Sequence, residues 1–287
     1  MTKVGLIGVG RMGHGIAANL VKAGWPLGFL EHPGNQPTED LVAAGAASVA
    51  SVSDLVRQSD VIILVVTGAP QVEEVLAGPG GVLESLRPDT LVIDCSTSLP
   101  DITRDMAKRV EAAGGALLDA PMTRTPKEAA EGRLNLIVGG DKKLLDAHRP
   151  MLESFAENIV HAGETGSGHA LKLLHNFVSL GFSAVLVEAA IAARESGVGP
   201  DVFREVLAQG GGRGAVLDRL APYITDGDSS GFSFTIANAA KDMGYYTAMV
   251  RALGLDGHAA EALAGVYQSG EKAGQGARLV PELISIL

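Results

Sequence analysis

The stretch VGLIGVGRMGHG, residues 4–15, decides the fold of this chain. A strand-like apolar run leads into a turn where Gly8, Gly10 and Gly13 are spaced as Gly-x-Gly-x-x-Gly. In such a turn the first glycine permits a tight bend, the second lets a pyrophosphate approach the backbone, and the third lets a helix pack on the strand. The N–H groups that begin the helix can bind the phosphates. The strand–turn–helix context favours a dinucleotide site over a glycine-rich turn that binds nothing.

Outward from this stretch, short β-branched runs alternate with helix-like segments through the first half of the chain. Strands are predicted at residues 4–9, 26–31, 61–66, 90–95, 115–120 and 134–139. Helices are predicted near residues 12–23, 39–44, 52–57, 70–77 and 99–113. Strands that are apolar on both faces and separated by helices are typical of a parallel sheet covered on both sides. We therefore expect an α/β domain in this half.

The strand pattern stops after about residue 163, and the second half reads as entirely helical. A long helix is predicted at residues 168–196, apolar nearly all round and ended by a glycine. Further helices are predicted near residues 201–208, 214–222, 236–253, 257–272 and 281–286. The segment GETGSG, residues 163–168, marks the boundary. We expect a first domain at residues 1–163 and a helical second domain at residues 164–287.

The composition excludes several classes of partner. Of 287 residues, 46% are hydrophobic and 20% charged, and the formal net charge is −10. Such a chain has no basic surplus to neutralise phosphates, so we expect neither nucleic acid nor an anionic membrane as partner. The single cysteine, Cys95, excludes an intrachain disulfide and suits the cytoplasm. No signal-like segment begins the chain, and glycines or charges interrupt the apolar stretches before about 18 residues, so no membrane span is expected.

An acidic residue stands at the end of the second predicted strand, where a dinucleotide site requires one. In PLGFLEHPGN, Glu31 can accept hydrogen bonds from both hydroxyls of a ribose and would repel a 2′-phosphate. Neither Arg nor Lys occurs between residues 23 and 56 to bind such a phosphate. This pattern favours NAD over NADP. The alternative is that Glu31 is a solvated charge at the end of a strand.

A second group of polar residues lies in GSGHALKLLHNF, residues 166–177. Lys172 and Asn176 are four residues apart, so they share one face of the predicted helix. Burying an unpaired ammonium is costly, so a lysine in this apolar segment is unusual. The start of a helix in a desolvated cleft favours the neutral amine, which suits proton transfer. Alternatively, the lysine extends its ammonium to water. The pair Lys241–Asp242 by itself reads as a surface ion pair.

The motifs together resemble the β-hydroxyacid dehydrogenase family over almost the whole chain. The matching segments, in order, are GLIGVGRMGHGIAANLVKAG (5–24), IDCST (93–97), DAP (119–121), GSGHALKLLHN (166–176) and KD (241–242). The resemblance implies a Rossmann-type domain with a parallel sheet, a long interdomain helix, and an all-helical domain that commonly dimerises. We therefore expect a homodimer or homotetramer.

The resemblance also implies roles for particular residues. Lys172 would be the catalytic acid and base, and Asn176 would hold the substrate beside it. Gly10, Arg11 and Met12 would line the pyrophosphate, and Gly8 and Gly13 would belong to the same cofactor-binding turn. Val66 and Thr67 would lie along the cofactor, and Ser96 and Thr97 would reach toward its nicotinamide end. Lys241 would close over the cofactor, with Asp242 fixing its position.

The chain departs from the family in its substrate loop. The common loop, Asp-x-Pro-Val-Ser-Gly-Gly, is DAPMTRT here, so that Thr123, Arg124 and Thr125 replace Ser-Gly-Gly. Sulfolactaldehyde reductases are more similar, with Gly-Arg-Thr at these positions. A guanidinium offers planar, bidentate geometry for a carboxylate or sulfonate. We predict that the three residues bind the acidic end of the substrate. Alternatively, Arg124 points outward or pairs with an acid such as Glu128 or Glu131.

The sequence thus predicts an NAD-dependent oxidoreductase that interconverts a small β-hydroxy acid and its semialdehyde. No cluster of His, Cys and Asp has the spacing of metal ligands, so no metal is expected. Two alternatives remain: an imine reductase, which shares the architecture but for which a lysine is unusual, and an NADH-binding protein without turnover.

Overall fold

The computed structural model describes residues 2–287 and contains one nine-stranded sheet. Its strands are β1 (Val4–Ile7), β2 (Leu27–Leu30), β3 (Ala47–Val49), β4 (Val61–Leu64), β5 (Leu91–Asp94), β6 (Ala116–Asp119), β7 (Met122–Thr123), β8 (Leu134–Gly139) and β9 (Ala156–Gly163). The spatial order is β3-β2-β1-β4-β5-β6-β8-β7, and β9 pairs with β8. The six strands from β3 to β6 are parallel, as a Rossmann-type sheet requires.

Helices cover both faces of this sheet. They are α1 (Gly13–Lys22), α2 (Glu39–Ala43), α3 (Val52–Arg57), α4 (Ala69–Ala77), α5 (Val82–Ser85), α6 (Pro100–Ala112), α7 (Pro126–Ala130) and α8 (Lys142–Leu152). Neighbouring residues of one strand belong to opposite cores: Leu6 packs in one and Ile7 in the other. Burial on both faces explains why these strands read as continuous apolar runs.

The predicted α/β class is confirmed, but the sheet differs from the expectation at one edge. Strand β8 runs antiparallel to β6 and β7, so the sheet is mixed there and not wholly parallel. The strands β3, β7 and β9 and the helices α5, α7 and α8 were not predicted. Strands of two or three residues such as β7 and β3 are too short to show a periodicity, and most residues of β9 are not buried.

The long helix α9 (Ser167–Glu195) follows, and the chain divides within it, after Lys172, into two compact units. The second unit contains α10 (Pro200–Gln209), α11 (Ala215–Asp226), α12 (Ile236–Ala252), α13 (His258–Lys272) and α14 (Leu283–Ile286). Its core includes Tyr267, which is fully buried and donates a 2.6 Å hydrogen bond to the Leu180 carbonyl. The all-helical second half is as predicted.

No membrane span is expected from the sequence, because glycines or charges interrupt its apolar stretches. By length and composition, however, the 29-residue helix α9 is long and apolar enough to cross a membrane. One such helix is weak evidence for a membrane span, because the core helix of a soluble protein passes the same test.

Candidate active site

The carboxyl ends of four neighbouring parallel strands form one row at the edge of the sheet. Ile7, Leu64, Asp94 and Asp119 are register partners across β1, β4, β5 and β6. Ligands of open α/β sheets bind outside the carboxyl ends of the strands. The segments that leave this row carry predicted site residues: the glycine-rich turn, Val66 with Thr67, Ser96 with Thr97, and the loop with Thr123, Arg124 and Thr125.

The glycines of the turn have two different reasons to be glycine. Gly8 has a φ of +102°, and a Cβ there would collide with the Val65 carbonyl oxygen. A Cβ on Gly13 would collide with the Gly8 carbonyl oxygen. A Cβ on Gly10, by contrast, would meet no atom within 4 Å. Folding therefore requires Gly8 and Gly13, whereas the space over Gly10 is what a pyrophosphate would fill, so this turn fits a dinucleotide.

The residues after Gly10 lie at the N-terminus of α1. Met12 is the residue immediately before the helix, and Arg11 is exposed beside it. The N–H groups of the first turn of a helix have no intrahelical acceptor, so they are available to phosphate oxygens. Arg11 and His14 also line a surface recess next to this turn.

Glu31 directly follows β2 and is exposed. The Ser48 hydroxyl of β3 donates a 2.7 Å hydrogen bond to its carboxylate. In the next loop, the Asn35 side chain accepts a hydrogen bond from the Val9 N–H and donates one to the Leu30 carbonyl. These bonds hold the segment that carries Glu31 against the glycine-rich turn.

Two predicted cofactor residues, Val66 and Ser96, are in direct contact. The buried Ser96 hydroxyl accepts a 3.0 Å hydrogen bond from the Val66 N–H, and the Ser96 N–H donates one of 2.9 Å to the Asp94 carboxylate. Burial raises the pKa of that carboxyl. Thr67 is exposed and Thr97 half-buried. The loops after β4 and β5 are therefore joined at the edge of the sheet.

The start of the helix that carries Lys172 is held by a carboxylate of the sheet. Asp119, at the end of β6, accepts hydrogen bonds of 2.8 Å from the N–H groups of Gly166 and His169 at the start of α9. A Cβ on Gly168 would lie 2.8 Å from the same carboxylate, so glycine is required there. Negative charge at a helix N-terminus is stabilising. Lys172, in the next turn, is 9% exposed and thus buried as predicted.

In the helical unit, Asp242 joins two other predicted residues. Its carboxylate accepts a 2.7 Å hydrogen bond from the Asn176 amide and lies 3.1 Å from the Lys241 ammonium. The Asn176 side-chain oxygen also lies 3.1 Å from His175 Nδ1. Because Asp242 is 3% exposed, the pair with Lys241 is not the surface ion pair that the local sequence suggested.

The side chains of the predicted substrate loop are bound to neighbouring protein groups. Thr123 accepts a hydrogen bond from Asn135. The Arg124 guanidinium donates to the carboxylate of Glu157 and to a backbone carbonyl. Thr125 caps α7 in a capping box with Glu128. The alternative that Arg124 pairs with a nearby acid thus matches the structure, with Glu157 as the acid; the role of the loop in binding substrate stays a prediction.

Within residues 2–287, no group of three or more His, Cys, Asp or Glu side chains is placed to hold a metal ion. Cys95, the first residue after β5, is buried in the core, and burial raises the pKa of its thiol.

A Rossmann-type sheet with an open glycine at its carboxyl edge is the architecture of a dinucleotide-binding domain. A family model described as the NAD binding domain of 6-phosphogluconate dehydrogenase matches residues 3–163. A second, described as NAD-binding of NADP-dependent 3-hydroxyisobutyrate dehydrogenase, matches residues 166–287. The chain belongs to the β-hydroxyacid dehydrogenase family.

Individual relatives agree with this assignment. The NAD-dependent L-serine dehydrogenase of Pseudomonas aeruginosa is 33% identical over 78% of this chain and 74% of its own. The 3-sulfolactaldehyde reductase of Escherichia coli is 30% identical over 96% of this chain and 92% of its own. The structure of Mycobacterium tuberculosis 3-hydroxyisobutyrate dehydrogenase with L-serine has a TM-score of 0.88 and 28% identity, covering 100% of this chain and 99% of that one. This protein is accordingly an NAD(P)-dependent hydroxyacid dehydrogenase.

Proposed function

We propose that the protein prefers NAD and interconverts a small β-hydroxy acid, with a carboxylate or sulfonate end, and its semialdehyde. The observation that carries this proposal is the buried Lys172, on a helix whose first turn is hydrogen-bonded to the sheet edge that also carries the glycine-rich turn. A buried amine at that edge can exchange a proton with a substrate hydroxyl. The named relatives, which act on hydroxy acids and aldehydes, support the same class of substrate.

In this proposal the nicotinamide cofactor accepts or supplies the hydride when it is bound. Lys172 takes the proton of the substrate hydroxyl during oxidation and returns it to the carbonyl oxygen during reduction. Asn176, one helical turn further on, retains hydrogen-bonding capacity beyond its bond to Asp242, because an amide has two N–H donors and two oxygen lone pairs. It binds the substrate beside the lysine. Burial of both residues, 9% and 6% exposed, limits the access of water.

The preference for NAD rests on Glu31. Its carboxylate is exposed at the end of β2 and oriented by Ser48. A carboxylate there accepts hydrogen bonds from ribose hydroxyls and repels a 2′-phosphate.

For Arg124 to bind the acidic end of the substrate, that group must replace Glu157 or share the guanidinium with it. Such an exchange costs little free energy, because the Glu157 side chain is 48% exposed and exposed ion pairs contribute little to stability. Thr123 and Thr125 lie on either side and complete the loop.

We also propose that the protein is cytoplasmic and associates with a second copy of itself through the helical unit. Helix α10 has no buried residue and exposes Val202 and Val206, and α9 exposes Val178 and Val185. Light scattering at micromolar concentration tests the association.

The test of the proposed function is the initial rate with NAD and with NADP over a panel of alcohols. The panel contains 3-hydroxyisobutyrate, 3-hydroxypropionate, L-serine, glycerate, 4-hydroxybutyrate and 2,3-dihydroxypropanesulfonate. Turnover with NAD is expected for at least one of them, and Lys172→Ala should reduce kcat by roughly 10²- to 10⁴-fold, the range for a general acid or base. Lys22→Ala, an exposed lysine of α1, is the matched control. Unchanged turnover in Lys172→Ala would contradict the proposed role. Reduction of a cyclic imine by NADH or NADPH, without oxidation of any alcohol of the panel, would favour the imine reductase.

A further inference from the structure

A histidine that the chemistry above does not use lies at the centre of a buried polar cluster. His169 is 0% exposed, and both of its ring nitrogens face hydrogen-bonding partners from other elements. Nε2 lies 3.1 Å from the Ser96 carbonyl oxygen, which can accept but not donate, so this nitrogen carries a proton. Nδ1 lies 2.7 Å from the Thr103 hydroxyl of α6. The ring therefore bridges the loop after β5 and α6, and its own backbone belongs to α9.

Two carboxylates flank the same ring. Asp94 of β5 lies 3.8 Å from Nε2, and Asp119 of β6 lies 3.8 Å from Nδ1. Both are almost fully buried, with exposed fractions of 1% and 0%. At 3.8 Å these contacts are longer than hydrogen bonds, so the carboxylates are close polar neighbours of a ring that is bonded to Ser96 and Thr103. A residue of similar size without ring nitrogens would leave this cluster incompletely satisfied.

The cluster is continuous with residues already assigned to the site. Ser96, whose carbonyl binds the ring, accepts a hydrogen bond from Val66 through its hydroxyl. Asp119, which flanks the ring, accepts the His169 N–H and thereby caps α9. Lys172 follows His169 by three residues, so the two lie within one turn of the same helix. A rotation or shift of that turn would move the Lys172 side chain relative to the strand edge.

We propose that His169 is a positioning residue for the reaction: bound through both ring nitrogens between the ends of β5 and β6, it fixes the rotational setting of the first turn of α9 and thereby the position of Lys172. The inference rests on the proposed role of Lys172 as acid and base. Asp119 alone holds the helix end through backbone groups and leaves rotation about the helix axis less restricted. The His169 side chain adds an off-axis attachment that removes this freedom.

The experiment compares His169→Leu, which keeps the approximate volume but loses both hydrogen bonds, with His169→Gln, whose amide can still donate to the Ser96 carbonyl. The matched control is His148→Leu, which removes a half-buried histidine bonded to the Leu144 carbonyl on α8. In His169→Leu, kcat should fall roughly 10- to 100-fold, the effect of a catalytic group displaced by about 1 Å, while the KM for NAD changes less than about threefold. His169→Gln should recover most of that loss, and His148→Leu should match the parent.

A second readout follows Lys172 without turnover. The protein is labelled with carbon-13 at the ε carbon of lysine, and the Lys172 resonance is assigned from its absence in Lys172→Arg. We expect this resonance to shift in His169→Leu and to return toward its parent position in His169→Gln. If the parent turns over no alcohol of the panel, the proposed function fails while this readout still decides the positioning role. An unmoved resonance in a folded His169→Leu overturns the inference.

Thr103→Val covers the case in which His169→Leu does not fold. It removes the hydroxyl that faces Nδ1 and keeps the shape of the side chain. We expect the same changes in kcat and in the Lys172 resonance as in His169→Leu, but of smaller size. The kcat should fall roughly two- to tenfold, as for the loss of one hydrogen bond. If kcat and the position of the Lys172 resonance in Thr103→Val equalled those of the parent protein, the proposal would be contradicted.

Discussion

The carboxylate of Asp242 lies 2.7 Å from the side-chain amide of Asn176, 66 residues earlier in the chain, and the contact is buried. The same carboxylate holds Lys241 at 3.1 Å. Asp242 thus orients two residues that the sequence assigned to the active site, one on α9 and one on α12.

Asp242→Ala is expected to lower the free energy of unfolding by about 2 to 3 kcal/mol, because it leaves a buried amide without its charged acceptor. Urea denaturation measures the change. Asp256→Ala, at an exposed aspartate, should change stability by less than about 0.5 kcal/mol. Equal effects of the two variants would show that the buried contact contributes no net stability.

The glycine-rich turn permits a prediction that separates folding from ligand binding. Gly10→Ala should keep the stability of the parent, since its Cβ enters open space, but weaken NADH binding at least tenfold. Gly8→Ala and Gly13→Ala should both destabilise the fold, because their Cβ atoms collide with backbone carbonyls. Thermal unfolding and NADH fluorescence measure the two properties. If Gly10→Ala bound NADH like the parent, the space over Gly10 would not be the pyrophosphate site.

Cofactor preference should depend on Glu31. Glu31→Gln is expected to weaken NADH binding about tenfold and to narrow the difference between NADH and NADPH, because repulsion of the 2′-phosphate is removed. Ser48→Ala, which removes the hydrogen bond that orients this carboxylate, should have a smaller effect in the same direction. Fluorescence titration with both cofactors gives the Kd values, and Glu73→Gln on the exposed face of α4 is the control. If the ratio of the Kd values for NADH and NADPH in Glu31→Gln equalled that of the parent, residues other than Glu31 would determine the cofactor preference.

Arg124 can be removed without straining its loop. Its φ is +83°, a left-handed conformation that glycine adopts more easily, so Arg124→Gly should not lose backbone stability. If the guanidinium binds the acidic end of the substrate, the substrate KM should rise about tenfold or more while kcat changes little. Glu157→Gln, which weakens the competing partner, should lower the KM or leave it unchanged. A parent-like KM in Arg124→Gly, together with reduced stability, would mean that the residue only braces β9.

The reactivity of the single thiol, Cys95, tests whether the core at the end of β5 is closed to solvent. Because burial raises the pKa of Cys95, little thiolate exists near neutral pH, and the native protein should react with a thiol reagent far more slowly than the unfolded chain. Labelling with Ellman's reagent in buffer and in denaturant measures the ratio. Rapid labelling of the native protein would show that β5 opens or that the residue is not in the core.

Much of the fold could be predicted because its elements carry local signals. The parallel strands are apolar on both faces, and helices end at glycines with positive φ, such as Gly24 after α1 and Gly197 after α9. The helix α7 also had a signal that was missed: Thr125 and Glu128 have the spacing of a capping box. That spacing would have indicated that Thr125 is used by its own helix. The reversal of β8 has no local signal, because strand direction depends on the path of the whole chain.

The sequence by itself determined the glycine-rich turn, the acid at the end of β2, and a lysine in an apolar helix, since each is a short pattern with its own physical requirement. Tertiary structure alone decided which partners these residues meet. It placed His169 between Asp94 and Asp119, and Glu157 against Arg124. The five hydrogen bonds that join site residues to their partners span 33 to 73 residues of the chain, and hydrogen bonds across such separations depend on strand order and register. A local pattern does not specify strand order, because identical strands can be arranged in several sheets.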